Sequence, residues 1–419
     1  MALRGTVTLP GDKSISHRAL MLAALGGDVS RIRGLNTGAD VASTRQVLER
    51  CGVIIEEIQE EILVHGGGVR PFQQPKMPLD CGNSGTTARL MLGMLAGQPL
   101  HAQLTGDASL SKRPMERVIR PLQQMGANIS AREGGYLPVM ISGRELWNLA
   151  HELPVASAQV KSALLLAGLW ARGETVVQSP AVSRDHTERM LEDMGARIRS
   201  RERVVHVAPL TEPLDPLDMT IPGDLSAAAF LLAAATLIPD SELRLPHTGI
   251  NPTRTAILEV LEQMGAHIQL EEQTHSGGEP TADLLVRSAE IQGTRVSAEL
   301  IPNLIDEIPL LMVLATQAEG ETELHGAEEL RVKESDRLSA MTLNLREWGV
   351  EVEEFQDGFC IAGPQKMRGG SVKTCGDHRI AMAMTVAGLL ADQTAKLDNE
   401  VCIDISFPGF LTRLMELEH

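Results

Sequence analysis

The sequence predicts an α/β protein of two domains, each built from three copies of one supersecondary repeat that buries a helix. Three observations lead there. The chain has 419 residues, too many for one ordinary core. A leucine-rich amphipathic stretch ending in a bulky residue, a Gly and a small residue recurs five times. A polar turn of small residues leads into a long apolar run six times.

The amphipathic stretches end at Leu48-Glu49-Arg50-Cys51-Gly52-Val53, Leu122-Gln123-Gln124-Met125-Gly126-Ala127, Leu191-Glu192-Asp193-Met194-Gly195-Ala196, Leu261-Glu262-Gln263-Met264-Gly265-Ala266 and Leu345-Arg346-Glu347-Trp348-Gly349-Val350. Each Gly reads as a left-handed residue just past a helix, with a strand to follow. Successive glycines lie roughly 70 to 84 residues apart, and such self-similarity marks stacked repeats.

The polar turns are Gly11-Asp12-Lys13-Ser14, Cys81-Gly82-Asn83-Ser84-Gly85-Thr86, Ala156-Ser157-Ala158-Gln159, Gly223-Asp224-Leu225-Ser226, Ile305-Asp306-Glu307 and Gly376-Asp377-His378-Arg379. The runs that follow, such as Ala227-Ala228-Ala229-Phe230-Leu231-Leu232, are apolar on most sides, so these helices are expected in the interior. Each repeat thus reads as a buried helix, a strand, an exposed helix and further strands. Pro10-Gly11-Asp12-x-Ser14 returns as Pro222-Gly223-Asp224-x-Ser226, which divides six repeats into three plus three. The domain crossings are placed at these two turns. One domain is expected to hold residues 1–12 and 223–419, closed by both termini, and the other residues 13–222.

Composition narrows the function. The formal net charge is −17, with one Tyr, three Trp and six Phe. A nucleic-acid binder needs the opposite charge and stacking platforms, so nucleic acid is excluded as a partner. No run of about 18 apolar residues suggests a membrane span. Met1 leads into the strand-like Thr6-Val7-Thr8-Leu9 without a charged, apolar and small-residue leader, and the five cysteines are scattered with no C-x-x-C pair. A cytoplasmic protein without disulfides or a metal site is expected.

Helix starts attract anions through their N–H groups and macrodipole. Any one of these turns alone reads as an ordinary cap. Caps do not account for the cation beside so many of them: Lys13 and Arg18 at the first, Arg89 at the second, Lys161 at the third, Lys333 and Arg337 after the fifth, Arg379 in the sixth. A cation against the apolar side of the chain is costly unless an anion meets it. The pattern points to two anionic substrates.

Leu9-Pro10-Gly11-Asp12-Lys13-Ser14-Ile15-Ser16-His17-Arg18 has the Lys and Ser of a phosphate loop but not the G-x-x-x-x-G-K-[ST] spacing, so ATP is not implied. Gly66-Gly67-Gly68 reads as a hairpin turn. Arg331-Val332-Lys333-Glu334-Ser335-Asp336-Arg337 reads either as a surface ion-pair face or as an anion site. His17, His186 and His378 read as structural, and they make no Ser-His-acid set.

Together with Asn83-Ser84-Gly85-Thr86-Thr87-Ala88-Arg89, Lys112-Arg113-Pro114-Met115, Ser157-Ala158-Gln159, Asp377-His378-Arg379 and Ser406-Phe407-Pro408, these stretches resemble the 5-enolpyruvylshikimate-3-phosphate synthase family, in family order along essentially the whole chain. The resemblance implies the two-domain enolpyruvyl transferase fold, an inverted α/β barrel-like arrangement whose helices are wrapped by sheets, with the active site in the cleft between the domains. It implies conversion of phosphoenolpyruvate and shikimate 3-phosphate into the enolpyruvyl ether and phosphate, with no metal or organic cofactor; a monomer is expected.

Residue by residue, the resemblance assigns phosphoenolpyruvate to Lys13, Gly85, Arg113, Gln159, Arg337 and Arg379. It assigns shikimate 3-phosphate to Lys13, Ser14, Arg18, Ser157, Gln159, Arg184, Asp306 and Lys333. Asp306, Glu334 and Lys13 are the expected proton-transfer groups. The chain departs from the better-known branch at Ala158, Glu329 and Ile405, which places it nearer the second branch. Ile405 stands where that branch has a lysine, and Arg331 is the first candidate to replace its charge. The sister transferase acting on UDP-N-acetylglucosamine follows its first lysine with asparagine and carries a loop cysteine. Here Ser14 follows Lys13, and residues 107–113 contain no cysteine. A non-catalytic scaffold would not need both Asp306 and Glu334.

Overall fold

The computed structural model describes residues 2–418. A helix forms at each apolar run: Lys13–Ala23, Gly85–Ala96, Ala158–Gly168, Leu225–Leu237, Ile308–Gln317 and His378–Gly388. Five are closed at the start by a side chain that accepts a backbone N–H: Asp12 from Ile15, Ser84 from Thr87, Ser157 from Val160, Asp224 from Ser226 and Asp377 from Arg379. Glu307, which begins the Ile308–Gln317 helix, makes no such bond. The Leu225–Leu237 helix is apolar all round because it is buried nearly all round; every residue from Leu225 to Thr236 is buried.

The amphipathic stretches are also helices: Ala39–Arg50, Glu116–Gln124, His186–Asp193, Ala256–Gln263 and Arg337–Glu347. Gly52, Gly126, Gly195, Gly265 and Gly349 follow them with φ between +82° and +96°, the conformation that ends a helix without a Cβ penalty.

Among the described residues, five four-stranded sheets and one strand pair cover these helices. In each larger sheet a short edge strand lies beside the strand that follows the buried helix, and two hairpin strands complete it. Leu79–Asp80, the Gly85–Ala96 helix and His101–Thr105 show the pattern, the two strands being parallel and joined through the helix. The sixth repeat has only the parallel pair Gly370–Val372 and Ala395–Leu397, and the chain continues into the Phe410–Glu416 helix instead of a hairpin.

Two edge strands are exchanged. Arg4–Thr6 precedes the Lys13–Ala23 helix but pairs with Glu242–Gly249, the strand after the Leu225–Leu237 helix. Asp218–Thr220 precedes the Leu225–Leu237 helix but pairs with Val29–Arg33, the strand after the Lys13–Ala23 helix. The chain divides accordingly into a terminal unit, Met1–Pro10, Gly223–Thr274 and Pro280–His419, and a middle unit, Gly11–Pro222 with His275–Glu279. Each has its own apolar core and three of the buried helices.

One turn differs from the sequence reading. The hairpin between Ile54–Ile58 and Glu61–His65 turns at Gln59 and Glu60, both with positive φ, not at the three glycines. Gly66, Gly67 and Gly68 instead run along the chain at 24–28, where their N–H groups bond the carbonyls of Asp28, Ala24 and Gly26. A Cβ on Gly66 would lie 2.1 Å from the Gly26 oxygen. Close backbone approach selects glycine at 66 and 67, and a positive φ at 68.

Gly93 has the same role between helices. A Cβ there would sit 2.2 Å from the Ala163 carbonyl oxygen, so the Gly85–Ala96 and Ala158–Gly168 helices reach their spacing only with glycine at this point. Gly93→Ala is expected to lower the unfolding free energy by about 1–3 kcal/mol. Urea denaturation checks this, and an unchanged midpoint would contradict it.

Candidate active site

In the middle unit the starts of three buried helices lie side by side. Gln159 Nε2 donates to Thr86 Oγ1 at 3.0 Å, while its Oε1 accepts from Arg89 Nη1 at 2.6 Å. This ties the third helix start to the second. Arg18 Nη2 donates to Ser162 Oγ at 3.0 Å and its Nε to Thr187 Oγ1 at 2.7 Å, tying the first helix to the third. The chain His17–Thr44–Thr87–Ser84 runs beneath, through contacts of 2.6 to 2.7 Å.

The sequence candidates collect around these starts. Lys13 opens its helix with Nζ 3.2 Å from Asp40. The carbonyl of Ser14 accepts from Arg18 Nη1 at 2.9 Å. Gly85 is the first residue of its helix, and a Cβ on it would meet Arg89 Nη1 at 2.6 Å and Arg113 Nη1 at 3.6 Å. Arg113 is held by Asn83 Oδ1 at 2.7 Å. Ser157 Oγ serves as a cap, 3.4 Å from the Val160 nitrogen. Burial holds the Arg18 guanidinium down at about 10 and the like charge of Arg184 adds to this, with Glu188 opposing. Arg184 is thereby an electrostatic neighbour of Arg18.

Lys161 departs from the expectation. It is buried, with Nζ 2.7 Å from Glu188 Oε1 and 3.1 Å from the Ser183 carbonyl. Its charge is balanced inside the protein, so an external anion is not needed to account for it.

In the terminal unit the pattern is one of carboxylates threaded by arginines. Arg337 is fully buried. Its Nη1 meets Asp306 Oδ1 at 3.0 Å, its Nη2 meets Glu334 Oε2 at 2.7 Å, and its Nε meets Asp377 Oδ2 at 2.8 Å. Burial alone would lower the Arg337 pKa, but Asp377, Glu334 and Asp306 outweigh it and hold the guanidinium above its ordinary value. Asp377 is pressed upward by burial, yet Arg337 and His378 hold it below the usual carboxylate range. Lys333 Nζ lies 3.9 Å from Asp306 Oδ1. Arg379 Nη1 donates to the Asp306 carbonyl at 3.1 Å and to Glu307 Oε1 at 3.2 Å.

Arg331 does not fill the place of the missing lysine. Its guanidinium is taken up by Glu354 at 2.6 Å, Asp336 at 3.1 Å, Ser339 and the carbonyls of Gln356 and Phe355. Ile405 packs against the apolar core of its unit.

The sequence reading missed Glu307, Arg254 and Asn83 as partners. Arg254 Nη2 donates to Ser226 Oγ, supplying the fourth repeat with the cation that its own turn lacks. It comes from Asn251-Pro252-Thr253-Arg254, a polar run before the next helix. Being 28 residues from Ser226, it is invisible to a search beside each turn.

Residues 1–414 match the family described as EPSP synthase (3-phosphoshikimate 1-carboxyvinyltransferase). The chain belongs to the EPSP synthase family. It is 47% identical over 419 residues to the 3-phosphoshikimate 1-carboxyvinyltransferase of Thermodesulfovibrio yellowstonii, covering 99% of this chain and 97% of that protein. It is 50% identical to the protein of that name from Anaeromyxobacter sp., covering 98% and 95%. The solved EPSP synthase of Acinetobacter baumannii superposes with a TM-score of 0.89 at 41% identity, over 99% of this chain and 95% of that one. The enolpyruvyl transferase NikO of Streptomyces tendae shares the fold, with a TM-score of 0.80 at 18% identity, over 99% and 95%. The chain is therefore an enzyme, a transferase with the enolpyruvyl transferase fold.

His17 gives this site a pH signature in stability. Burial, then the charges of Lys13 and Arg18, hold its pKa well below the ordinary value. A group lowered in the folded state contributes fully above its unfolded pKa, about 6.5. That contribution is lost as pH falls from there toward the folded value. The stability gap between the wild type and His17→Gln should therefore shrink by up to about 1.4 kcal/mol per pH unit below that point. Urea unfolding at neutral and mildly acidic pH measures it, and a pH-independent gap would contradict it.

Proposed function

We propose that the cations of the middle unit and the carboxylates and arginines of the terminal unit are the working groups of one reaction. The enzyme transfers the enolpyruvyl group of phosphoenolpyruvate to the 5-hydroxyl of shikimate 3-phosphate, releasing phosphate, in the shikimate pathway to aromatic amino acids. The observation that carries the assignment of roles is Arg337, whose single guanidinium orients both Asp306 and Glu334.

Phosphoenolpyruvate falls to Lys13, Gly85, Arg113, Gln159, Arg337 and Arg379. Gly85 admits it because a side chain there would press on Arg89. Arg337, with its donors committed to three carboxylates, contributes chiefly charge. Shikimate 3-phosphate falls to Lys13, Ser14, Arg18, Ser157, Gln159, Arg184, Asp306 and Lys333. Its phosphate relieves the repulsion between Arg18 and Arg184, and the carboxylate of Asp306 suits a ring hydroxyl.

Asp306 takes the proton of the 5-hydroxyl as that oxygen bonds to the central carbon of phosphoenolpyruvate. Glu334, with Lys13, gives a proton to the methylene carbon, which becomes a methyl group in a tetrahedral intermediate. Loss of a methyl proton to the same groups reforms the double bond as the carbon–oxygen bond to phosphate breaks. Arg113, Arg337 and Arg379 hold the charge that leaves. Glu334 suits a transferring acid because its side chain is partly open, 29% exposed, while Arg337 beneath it is sealed.

The net charge of −17 argues against nucleic acid as a partner. No helix of the described residues is long and apolar enough to cross a membrane. We place the enzyme in the cytoplasm, acting as a monomer without a metal or organic cofactor. The test is phosphate release. It should require both substrates in the wild type, and Asp306→Asn or Glu334→Gln should lower kcat by about 100-fold or more with little change in either KM. Unchanged turnover in either variant would sink that residue's role.

A further inference from the structure

We propose that Glu307 is a positioning residue that aims the Arg379 guanidinium at phosphoenolpyruvate, and that Arg254 and Ser226 hold Glu307 for this task. The proposal rests on the reading of Arg379 as a phosphoenolpyruvate ligand given above.

Arg379 is nearly buried, and one end of its guanidinium is fixed. Its Nη1 donates to the carbonyl of Asp306 at 3.1 Å and to Glu307 Oε1 at 3.2 Å. These two acceptors account for both Nη1 hydrogens. Nε and Nη2 make no hydrogen bond among the described residues, so the edge they form is the one left for a ligand. Two parallel N–H groups on one edge are the geometry that grips two oxygens of a carboxylate or phosphate in bidentate fashion. Which edge is presented is decided by what occupies Nη1, and Glu307 is the only side chain there among the described residues.

Glu307 is itself set with care. It is 1% exposed, where an ionised carboxylate is costly without partners. Oε1 accepts from Ser226 Oγ, which in turn accepts from Arg254 Nη2. Arg254 Nη2 lies 4.0 Å from Glu307 Oε1 and 3.7 Å from Asp224 Oδ1. Two arginines thus share two carboxylates around one serine, at the starts of all three buried helices of the terminal unit. Glu307 is also the helix-starting residue that makes no cap bond to its own backbone. Its side chain is turned to Arg379 instead.

A carboxylate that merely balanced charge would affect stability and nothing else. One that aims Arg379 must also affect phosphoenolpyruvate selectively. Glu307→Gln keeps the size of the side chain, removes its charge and presents Arg379 with an amide. The KM for phosphoenolpyruvate should rise roughly ten- to hundredfold, with the KM for shikimate 3-phosphate within about twofold of the wild type. Arg254→Gln, which loosens Glu307 from behind, should shift the same constant in the same direction by less. Arg379→Gln should raise it at least as far, and adding Glu307→Gln to Arg379→Gln should cost nothing more, since coupled residues are not additive. Circular dichroism and urea midpoints accompany each variant. Two outcomes overturn the positioning role: folded Glu307→Gln with unchanged phosphoenolpyruvate KM while Arg379→Gln raises it, or additive losses in the double variant. An unchanged KM in Arg379→Gln overturns the ligand reading, and the positioning role with it.

Discussion

The Arg337 guanidinium is sealed inside the terminal unit and meets carboxylates from three separate stretches of chain. Asp306 lies in the turn before one buried helix, Asp377 caps the start of another, and Glu334 precedes the helix that Arg337 itself opens. Asp377, which is fully buried, could not stay charged alone, since removing one partner of such a pair costs roughly 3–5 kcal/mol. The requirement is therefore mutual. Placing Arg337 fixes where two helix starts and a loop must lie, and the loop brings Glu334 and Lys333 to Asp306. A lysine could not do this, because a point charge cannot span three carboxylates in one plane as a guanidinium fork can.

The exchange of edge strands has a comparable effect on the scaffold. A short parallel strand normally feeds the helix that packs on its own sheet, as Leu79–Asp80 feeds the Gly85–Ala96 helix. At Pro10–Gly11 and Pro222–Gly223 the strand stays in one unit and its helix belongs to the other. Both turns carry Gly-Asp: a Cβ on Gly11 would fall 2.0 Å from the Gly34 oxygen and one on Gly223 3.0 Å from the Leu9 side chain, and the aspartate caps the helix. The same local chemistry is used twice because the chain makes the same passage twice.

Much of the fold was legible because its strongest demands are local. Left-handed glycines after five helices, capping residues before the buried ones and uninterrupted apolar runs are each set within a few residues. What could not be read was set by long-range packing. The three glycines at 66–68 look like a turn, yet Gly66 is selected by a neighbouring segment some forty residues earlier, around Gly26. Gln59 and Glu60, which do turn, carry no turn residue at all. The site shows the same division. Lys13, Gly85, Arg337 and Arg379 sit at or beside helix starts, where motif and spacing point to them. Arg254 and Glu307 matter through contacts across many residues. Arg331, first choice for a compensating cation, is spent on Asp336 and Glu354.

Lys161 sharpens the rule by which such sites are found. It is a buried cation near a helix start, just like Arg18, and sequence alone gives the two equal standing. The difference is in the partner: Lys161 has Glu188 at 2.7 Å, whereas Arg18 is satisfied by Thr187, Ser162 and a carbonyl, none of which carries charge. A neutral cradle satisfies the hydrogen bonds of a guanidinium without neutralising it; Glu188 works against the excess and Arg184 adds to it. An acidic chain can therefore keep a local positive group where, as at Arg18, hydroxyls and a carbonyl take the hydrogen bonds. The net charge of the molecule sets its long-range field. Around Arg18 the local balance is set by its neutral hydrogen-bond partners together with the charges of Glu188 and Arg184.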